Sequence, residues 1–299
     1  MLELEGADVR LGVIFPQSEI TADVGAVRAY TEAAEELGYA HLLAYDHVVG
    51  ADLTNRPDFR GPYNLQTMFH EPFVLFGFMA AITQKLEFAT GIVILPQRQT
   101  VLVAKQAAEV DVLSGGRFRL GVGIGWNDVE YQALGQDFRT RAARSEEQIV
   151  LLRQLFSQES VTFAGRWDTV EAAGINPLPT RRSIPIWIGG AAEATLRRVV
   201  RLGDGWFPQM PPDQARPMLD RLRELAREKG RDPESIGIEA RVNIAGKDEE
   251  IWISEVRAWK EMGATHLAVN TMSAGLTGPS GHIDAIRRFR DAVFPIVAD

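Results

Sequence analysis

Short apolar segments alternate with longer amphipathic segments along almost the whole chain, a pattern typical of strands that alternate with helices. In the first unit, the apolar segment from Arg10 to Pro16 precedes a helical stripe that contains Val27 and Tyr30. Gly38 is expected to end that helix, because glycine readily adopts the backbone conformation found just after a last helical turn. Repetition of this unit predicts a parallel sheet covered by helices.

The apolar segments predict eight strands. Their sequences are RLGVIFP, HLLAYDHV, EFATGIVILP, RFRLGVGIGW, PIWIGG, GWFPQ, GIEARVNIA and HLAVN. A helix is predicted after each strand, so the natural architecture is a closed (β/α)8 TIM barrel that forms a single domain over residues 1–299. Two insertion loops interrupt the repeat: a polar stretch after the second strand, and residues 157–183, which contain the hairpin sequence VTFAGRWDTV.

Local signals predict where several helices begin and end. Thr100 is expected to cap the helix before the fourth strand, because a threonine hydroxyl can accept a hydrogen bond from a free amide of the first turn. Ser114, Gly115 and Gly116 are expected to end that helix. A serine at position 145 and a glutamine three residues later have the spacing of a capping box, which predicts the start of the next helix.

The fourth predicted strand, Arg117 to Trp126, has glycine at every second position, namely Gly121, Gly123 and Gly125. Because side chains alternate along a strand, these glycines leave one whole face bare. Glycine also weakens the interior of a strand. The pattern therefore predicts that something approaches this backbone very closely, either a packed element or a flat ligand.

The helix predicted from Pro72 to about Gln84 contains the sequence FVLFGFMAAI, which is apolar nearly all round. Such a helix is expected where neighbours bury it on several sides, or where it meets a second copy of the chain. It has more apolar surface than packing on one barrel requires. We therefore expect a homodimer.

Composition places the chain among ordinary globular enzymes, with 45% hydrophobic and 24% charged residues. A formal net charge of -8 argues against a general nucleic-acid surface, so no nucleic-acid partner is expected. The absence of cysteine excludes disulfides, thiolate metal sites and cysteine nucleophiles. The N-terminus lacks the features of a signal peptide and no apolar run is long enough to span a bilayer, so we expect a cytoplasmic protein with no membrane partner.

Catalytic residues of such barrels lie at the carboxyl ends of the strands. The residues expected there are Asp46 and His47 after the second strand, Gly91 to Pro96 after the third, Gly125 to Asn127 after the fourth, and Gly189 and Gly190 after the fifth. His47 could exchange protons near neutral pH, although it could equally be a buried histidine bonded to a backbone carbonyl. Asp46 is not expected to orient His47, since consecutive strand residues point to opposite sides.

Other common motifs are missing from the sequence. The glycine strand does not satisfy G-x-G-x-x-G, because the third glycine position falls on Trp126 or Asp128. Walker A, H-E-x-x-H and G-x-S-x-G sequences are also absent. The five histidines lack the spacing of metal ligands, so no metal site is predicted.

The segment IWIGGAAEATLRR takes a strand directly into a helix whose first amides are free, which could form an anion site. Arg197 and Arg198 could add positive charge to that site. Equally, the glycines could simply allow a tight turn, with both arginines in solvent. Further arginines that could contact an anion are Arg98, Arg139, Arg141 and Arg144.

Three long segments together resemble the bacterial luciferase-like monooxygenase superfamily, and within it the coenzyme F420-dependent oxidoreductases. They are AYDHV, LEFATGIVILPQRQTVLVAKQAAEVDVLSGGRFRLGVGIGWNDVEY and PIWIGGAAEATLRRVVRLGDGWFP. They span most of the chain from residue 10 to about residue 210 in the order and spacing of the family. The last third of the chain is much less diagnostic.

The resemblance implies that a flat tricyclic cofactor lies at the mouth of the barrel and exchanges a hydride at its central ring. It implies a non-proline cis peptide between Gly91 and Ile92, which forms a bulge behind the ring. Asp46 and His47 match the pair that contacts cofactor and substrate, and they are the catalytic residues that the resemblance implies. The implied cofactor-binding residues are Asp46, Gly91, Ile92, Gly125, Trp126, Gly189, Gly190 and Ala191.

The sequence departs from some relatives at two places. A lysine that binds the cofactor phosphate in them is missing after GDGWFPQM, where Pro211 and Pro212 follow. Trp126 stands where sugar-phosphate-oxidising relatives carry a glutamate. We therefore expect an F420-dependent oxidoreductase of a small organic substrate. FMN in place of F420, as in a flavin monooxygenase, and a non-catalytic ligand-binding barrel are the alternatives.

Overall fold

Parallel strands close into a barrel in the computed structural model, which describes residues 9–297. The strands are β1 (Arg10–Ile14), β2 (His41–Ala44), β3 (Glu87–Thr90), β4 (Val93–Ile94), β5 (Phe118–Gly123), β6 (Val161–Ala164), β7 (Thr169–Ala173), β8 (Ile186–Gly189), β9 (Gly205–Phe207), β10 (Gly237–Asn243) and β11 (His266–Asn270). Around the barrel they follow the order β3-β2-β1-β11-β10-β9-β8-β5, and pairing of β5 with β3 closes the ring. The predicted TIM barrel is confirmed.

Helices connect the strands and cover the outside of the barrel. They are α1 (Val24–Glu36), α2 (Pro72–Ala81), α3 (Thr100–Leu113), α4 (Asp128–Ala133), α5 (Arg141–Ser157), α6 (Glu193–Leu202), α7 (Pro212–Glu228), α8 (Glu249–Glu261) and α9 (Gly278–Val297). Large side chains such as Phe88, Trp206 and Phe289 are fully buried in the core. Among residues 9–297, no helix has the length and apolar character needed to cross a membrane.

The third predicted strand is divided in two. β3 stops at Thr90, a cis peptide joins Gly91 to Ile92 as the resemblance implied, and β4 resumes the pairing with β5. The fourth predicted strand is also shorter than expected, because β5 ends at Gly123. Gly125 has a φ of +64°, a backbone conformation that no strand residue adopts.

Both predicted helix caps are wrong, whereas the predicted hairpin of β6 and β7 is confirmed. Thr100 is the first residue of α3 rather than its cap, and its hydroxyl donates to Asp168 of the hairpin. Ser145 and Gln148 lie inside α5, which begins at Arg141. The Gln148 side chain instead donates to the carbonyl of Arg98. Thr100 and Gln148 therefore bind residues of other elements rather than free amides of a first helical turn.

The bare face of β5 accommodates the interrupted strand beside it. A Cβ atom on Gly121 would overlap the carbonyl oxygen of Thr90, and one on Gly123 would overlap the end of the Ile92 side chain. The hydroxyl of Thr90 also donates to the Gly121 carbonyl at 2.7 Å. The predicted close approach is confirmed, and the approaching element is the segment that joins β3 to β4.

Charged side chains fill the end of the barrel where the strands begin. Arg119 donates to Glu239 at 2.8 Å and to Glu87 at 3.0 Å, and His41 lies 2.9 Å from Glu239. Burial alone would raise the pKa of Glu239, but the adjacent His41 and Arg119 lower that pKa to about 2. Burial and the charge of Arg119 lower the pKa of His266 to about 3.

These shifts predict that acid destabilises the fold. The unfolded chain would protonate a free histidine near pH 6.5 and a free glutamate near pH 4.5, whereas the folded barrel resists protonation at His266 to about pH 3 and at Glu239 to about pH 2. The unfolded state therefore binds more protons across this window. We expect the free energy of unfolding in urea to fall from pH 7 to pH 4, most steeply below about pH 4.5. An unfolding free energy that stays constant or rises over this range would contradict the assignment.

Candidate functional site

A cavity of about 440 Å³ opens at the carboxyl ends of the strands. It brings together all nine residues that the resemblance implied as catalytic or cofactor-binding: Asp46, His47, Gly91, Ile92, Gly125, Trp126, Gly189, Gly190 and Ala191. Five of these nine are glycines or alanine, so much of the wall is formed by backbone. The individual roles of these residues remain predictions.

His47 is held by a carboxylate that the sequence analysis missed. Its Nδ1 lies 3.2 Å from Oε1 of Glu130, and the same carboxylate accepts the Val48 amide at 2.7 Å. Burial would raise the pKa of Glu130, but the hydrogen bonds from His47, Val48 and Gln97 outweigh burial and hold that pKa below its usual range. Glu130 is therefore an ionised acceptor, and the interpretation of His47 as a histidine bonded to a backbone carbonyl is wrong.

This contact fixes the chemistry available to the imidazole. An ionised carboxylate can only accept, so Nδ1 of His47 carries the proton. In the neutral ring Nε2 then has a free lone pair, and in residues 9–297 it has no hydrogen-bond partner. Since His47 lines the cavity, Nε2 can take a proton from a bound molecule or return one to it.

Three aromatic side chains lie close to the imidazole. The rings of Tyr63 and Phe69 lie 4.8 Å and 4.7 Å from the His47 ring, and the Trp126 ring lies at 5.8 Å. Tyr63 and Phe69 belong to the insertion loop between β2 and α2. Trp126 keeps 43% of its surface exposed, so it is available as an apolar wall for a bound molecule.

Asp46 points away from His47, as predicted, and supports the segment behind the cavity. Its Oδ2 accepts the amide of Ile94 at 3.1 Å, and its Oδ1 accepts from Arg98 at 2.7 Å. Arg98 also donates to Glu71 at 2.9 Å. Burial would lower the pKa of Arg98, but the two carboxylates outweigh burial and raise that pKa above its ordinary value. Both oxygens of Asp46 are thus engaged in holding the end of β4 and the residues that follow it.

Another part of the rim is the junction between β8 and α6. Gly190 has a φ of +135°, and its carbonyl accepts from the indole of Trp206 at 2.8 Å. Thr195 lines the cavity from the first turn of α6, a contact that the sequence analysis did not identify. No side chain caps α6, so its first amides are free to bind an anion.

The arginines proposed for an anion site lie elsewhere. Arg197 is exposed and pairs with Glu193 at 2.7 Å, whereas Arg198 is buried and donates to Glu146 at 3.2 Å. Neither lines the cavity, so the structure does not support their proposed contact with an anion. The other candidate arginines, Arg98, Arg139, Arg141 and Arg144, do not line it either. The arginine that does line it is Arg241, on β10.

Glu130 and Arg241 escaped the sequence analysis for different reasons. Glu130 lies in α4, directly after the fourth predicted strand, so an acid in the first turn of a helix at the mouth was a usable signal. Arg241 lies inside the predicted strand GIEARVNIA, in the part of the chain with the weakest family resemblance. Alternation would have placed it on a face with Glu239, but not in a cavity.

The chain is similar in sequence to known proteins over most of its length. A family model described as luciferase-like monooxygenase matches residues 10–282. An uncharacterized protein of Mycobacterium tuberculosis is 32% identical over 223 residues, which are 73% of this chain and 77% of that protein. The F420-dependent hydroxymycolic acid dehydrogenase of the same species is 27% identical over 259 residues, 86% of this chain and 68% of that enzyme.

Among solved structures, an F420-dependent secondary alcohol dehydrogenase in complex with an F420–acetone adduct has the same fold. Its TM-score is 0.77 at 18% sequence identity, and the match covers 96% of this chain and 99% of that one. The family resemblance seen in the sequence is thereby confirmed.

Proposed function

Because this chain belongs to the luciferase-like monooxygenase family, a family of oxidoreductases, we propose that it transfers a hydride between coenzyme F420 and a small organic substrate. The observation that carries the proposal is the pair formed by His47 and Glu130, because His47 lines a cavity whose wall is partly glycine backbone. The names of two relatives, both F420-dependent dehydrogenases, favour the deazaflavin over FMN.

The residues of the cavity fit a flat tricyclic group. Ile92 would support one face of the ring, since a Cβ atom on either Gly123 or Gly189 would press against the Ile92 side chain and disturb that surface. The free amides at the start of α6 would bind the acidic tail of the cofactor. When bound, a deazaflavin supplies a ring carbon that accepts or donates a hydride.

His47 would accept or donate the proton that is transferred along with the hydride. An alcohol that is oxidised loses a hydride from carbon and a proton from oxygen, and a carbonyl compound remains. Nε2 of neutral His47 would accept that proton, while the Glu130 carboxylate would stabilise the imidazolium that forms. In the opposite direction the same imidazolium would give its proton to the carbonyl oxygen while the hydride adds to the carbonyl carbon, and the alcohol forms. Trp126 and Tyr63 would limit the access of water to the reacting carbon.

Side-by-side titrations with F420 and with FMN test this function. Trp126 lines the cavity, so ring binding should quench its fluorescence, and Trp126→Phe identifies that part of the signal. We expect F420 to bind substantially more tightly than FMN. Tighter binding of FMN would indicate a flavin monooxygenase, and binding of neither would indicate a barrel without a cofactor.

We also propose that the protein is a homodimer. On α2, Val74 is 71% exposed, and on α3 Leu102 and Leu113 are 52% and 62% exposed. Several exposed apolar side chains on two helices that pack together are typical of a surface that a second chain covers. α2 packs against α3, so these residues lie on one side of the barrel.

Light scattering at micromolar concentration checks the dimer. We expect the mass of two chains for the unaltered protein and the mass of one chain for Val74→Glu combined with Leu102→Glu, because buried unpaired carboxylates oppose association. Val24→Glu, which adds a charge at another exposed valine, should leave the dimer intact. A monomer in the unaltered protein would contradict the proposal.

A further inference from the structure

Arg241 is the only arginine or lysine that lines the cavity in the described part of the chain. Its Nη1 donates to the hydroxyl of Tyr45 at 3.2 Å, the one hydrogen bond that its guanidinium makes within residues 9–297. In the same residues no carboxylate lies within salt-bridge distance of Arg241. A guanidinium has five N–H donors, so most of the donors of Arg241 are unused.

Several other arginines that are buried or half-buried in this chain have carboxylate or carbonyl partners, although within residues 9–297 one buried guanidinium nitrogen each of Arg119, Arg141, Arg144 and Arg290 has none. Arg98 and Arg119 each pair with two carboxylates. Arg231 has no close carboxylate, but a single nitrogen of its guanidinium donates to three backbone carbonyls. Arg241 is half-buried and lines the cavity, and in the described residues none of its guanidinium nitrogens is buried without a partner, so its free donors are open to the cavity and available to an anionic acceptor there.

Arg241 lies on the wall of the cavity opposite the expected cofactor site. In the strand order, β10 lies four places from β3 in either direction, so Arg241 faces the Gly91–Ile92 segment from the opposite wall. If the ring lies against Ile92, as the proposed function requires, its other face is turned towards Arg241. That face is where a hydride acceptor or donor must lie.

We propose that Arg241 and Tyr45 bind a carboxylate of the substrate, which is therefore a small organic acid. A planar guanidinium presents parallel N–H groups that match the two oxygens of a carboxylate. The Tyr45 oxygen accepts from Arg241, which leaves its own proton free to bind the same anion. Tyr45 and His47 are both in the cavity and two positions apart after β2, so a short acid can reach both. This inference rests on the proposed function.

Calorimetric titration with straight-chain carboxylates of two to six carbons, each compared with its uncharged amide, tests the proposal. The titrations use the protein with and without F420. We expect at least one carboxylate to bind about tenfold or more tightly than its amide, a difference that hydrogen bonds to a charged group supply. Arg241→Met should abolish this preference and leave F420 affinity unchanged. Arg216→Met, which removes an exposed arginine of α7, should preserve the preference.

The outcomes separate the two proposals. If F420 fails to bind while the preference for carboxylates is present and is lost in Arg241→Met, the anion site stands and the proposed function fails. If F420 binds but every carboxylate and its amide bind equally, the anion site is wrong and the proposed function stands. A preference that survives Arg241→Met, or a loss of F420 affinity in that variant, would also overturn the assignment of Arg241 to the substrate.

Discussion

Replacing His47 with alanine should lower turnover by roughly 10²- to 10⁴-fold while the affinity for the cofactor changes little, the usual size of a general acid–base effect. The expectation follows from the free Nε2 of a residue that lines the cavity and whose Nδ1 is held by Glu130. Steady-state kinetics and F420 titration of the same preparation measure the two quantities separately. Added imidazole should restore part of the lost turnover, because it can enter the space left by the ring.

Glu130→Gln is the companion variant to His47→Ala, because it tests the contribution of the carboxylate that holds His47. The glutamine keeps the shape of the side chain and can still accept the Val48 amide, but it can no longer stabilise a charged imidazole. We expect a smaller loss of turnover than in His47→Ala, with cofactor affinity unchanged. If His47→Ala keeps full turnover, or loses cofactor affinity and turnover in parallel, His47 is a structural or cofactor-holding residue.

The fold and the place of the site were predictable because they depend on repeated, local features. Eight apolar strands separated by helices have few ways to bury both faces of a parallel sheet, so a closed barrel follows from the pattern. Closure brings the carboxyl ends of all strands to one rim. This is why the sequence places residues as far apart as Asp46 and Gly190 at one rim, where both line the cavity.

The failed predictions concern side chains whose partners are distant in the sequence. Thr100 and Gln148 have the local chemistry of helix caps, but they bond to each other and to residues of other elements. Glu130 binds an imidazole that is 83 residues away in the chain. A single sequence contains the propensity of each side chain and not the distance between two of them, so these pairs become visible only in the folded barrel.

The glycine face of β5 combines a local sequence pattern with a contact to a segment that is distant in the sequence. The alternation of glycine predicted a close approach, and the approaching element is the segment from Thr90 to Ile94, which also forms the wall where the ring is expected. The same segment therefore packs against β5 and provides the cavity surface that a cofactor would contact. A methyl group added on this face should lower the stability of the fold where it meets backbone, and should lower cofactor affinity where it meets the Ile92 side chain.

Gly121→Ala should destabilise the protein by about 3 kcal/mol or more, or prevent folding altogether. The added methyl group would overlap the carbonyl oxygen of Thr90, a backbone atom held by its strand, and would also press on the ring of Phe207. Gly123→Ala should cost less stability, because its methyl group meets only the end of the flexible Ile92 side chain. Urea unfolding and soluble yield measure this difference.

Gly123→Ala should instead weaken F420 binding, since a displaced Ile92 changes the wall of the cavity. Shortening that side chain removes the overlap, so the double variant Gly123→Ala with Ile92→Val should recover most of the lost F420 affinity, whereas Gly121→Ala with Ile92→Val should remain destabilised. Stability of Gly121→Ala equal to or above that of Gly123→Ala would show that the β3–β4 segment can move aside. In that case the bare face would serve the ligand rather than the packing of the strand beside it.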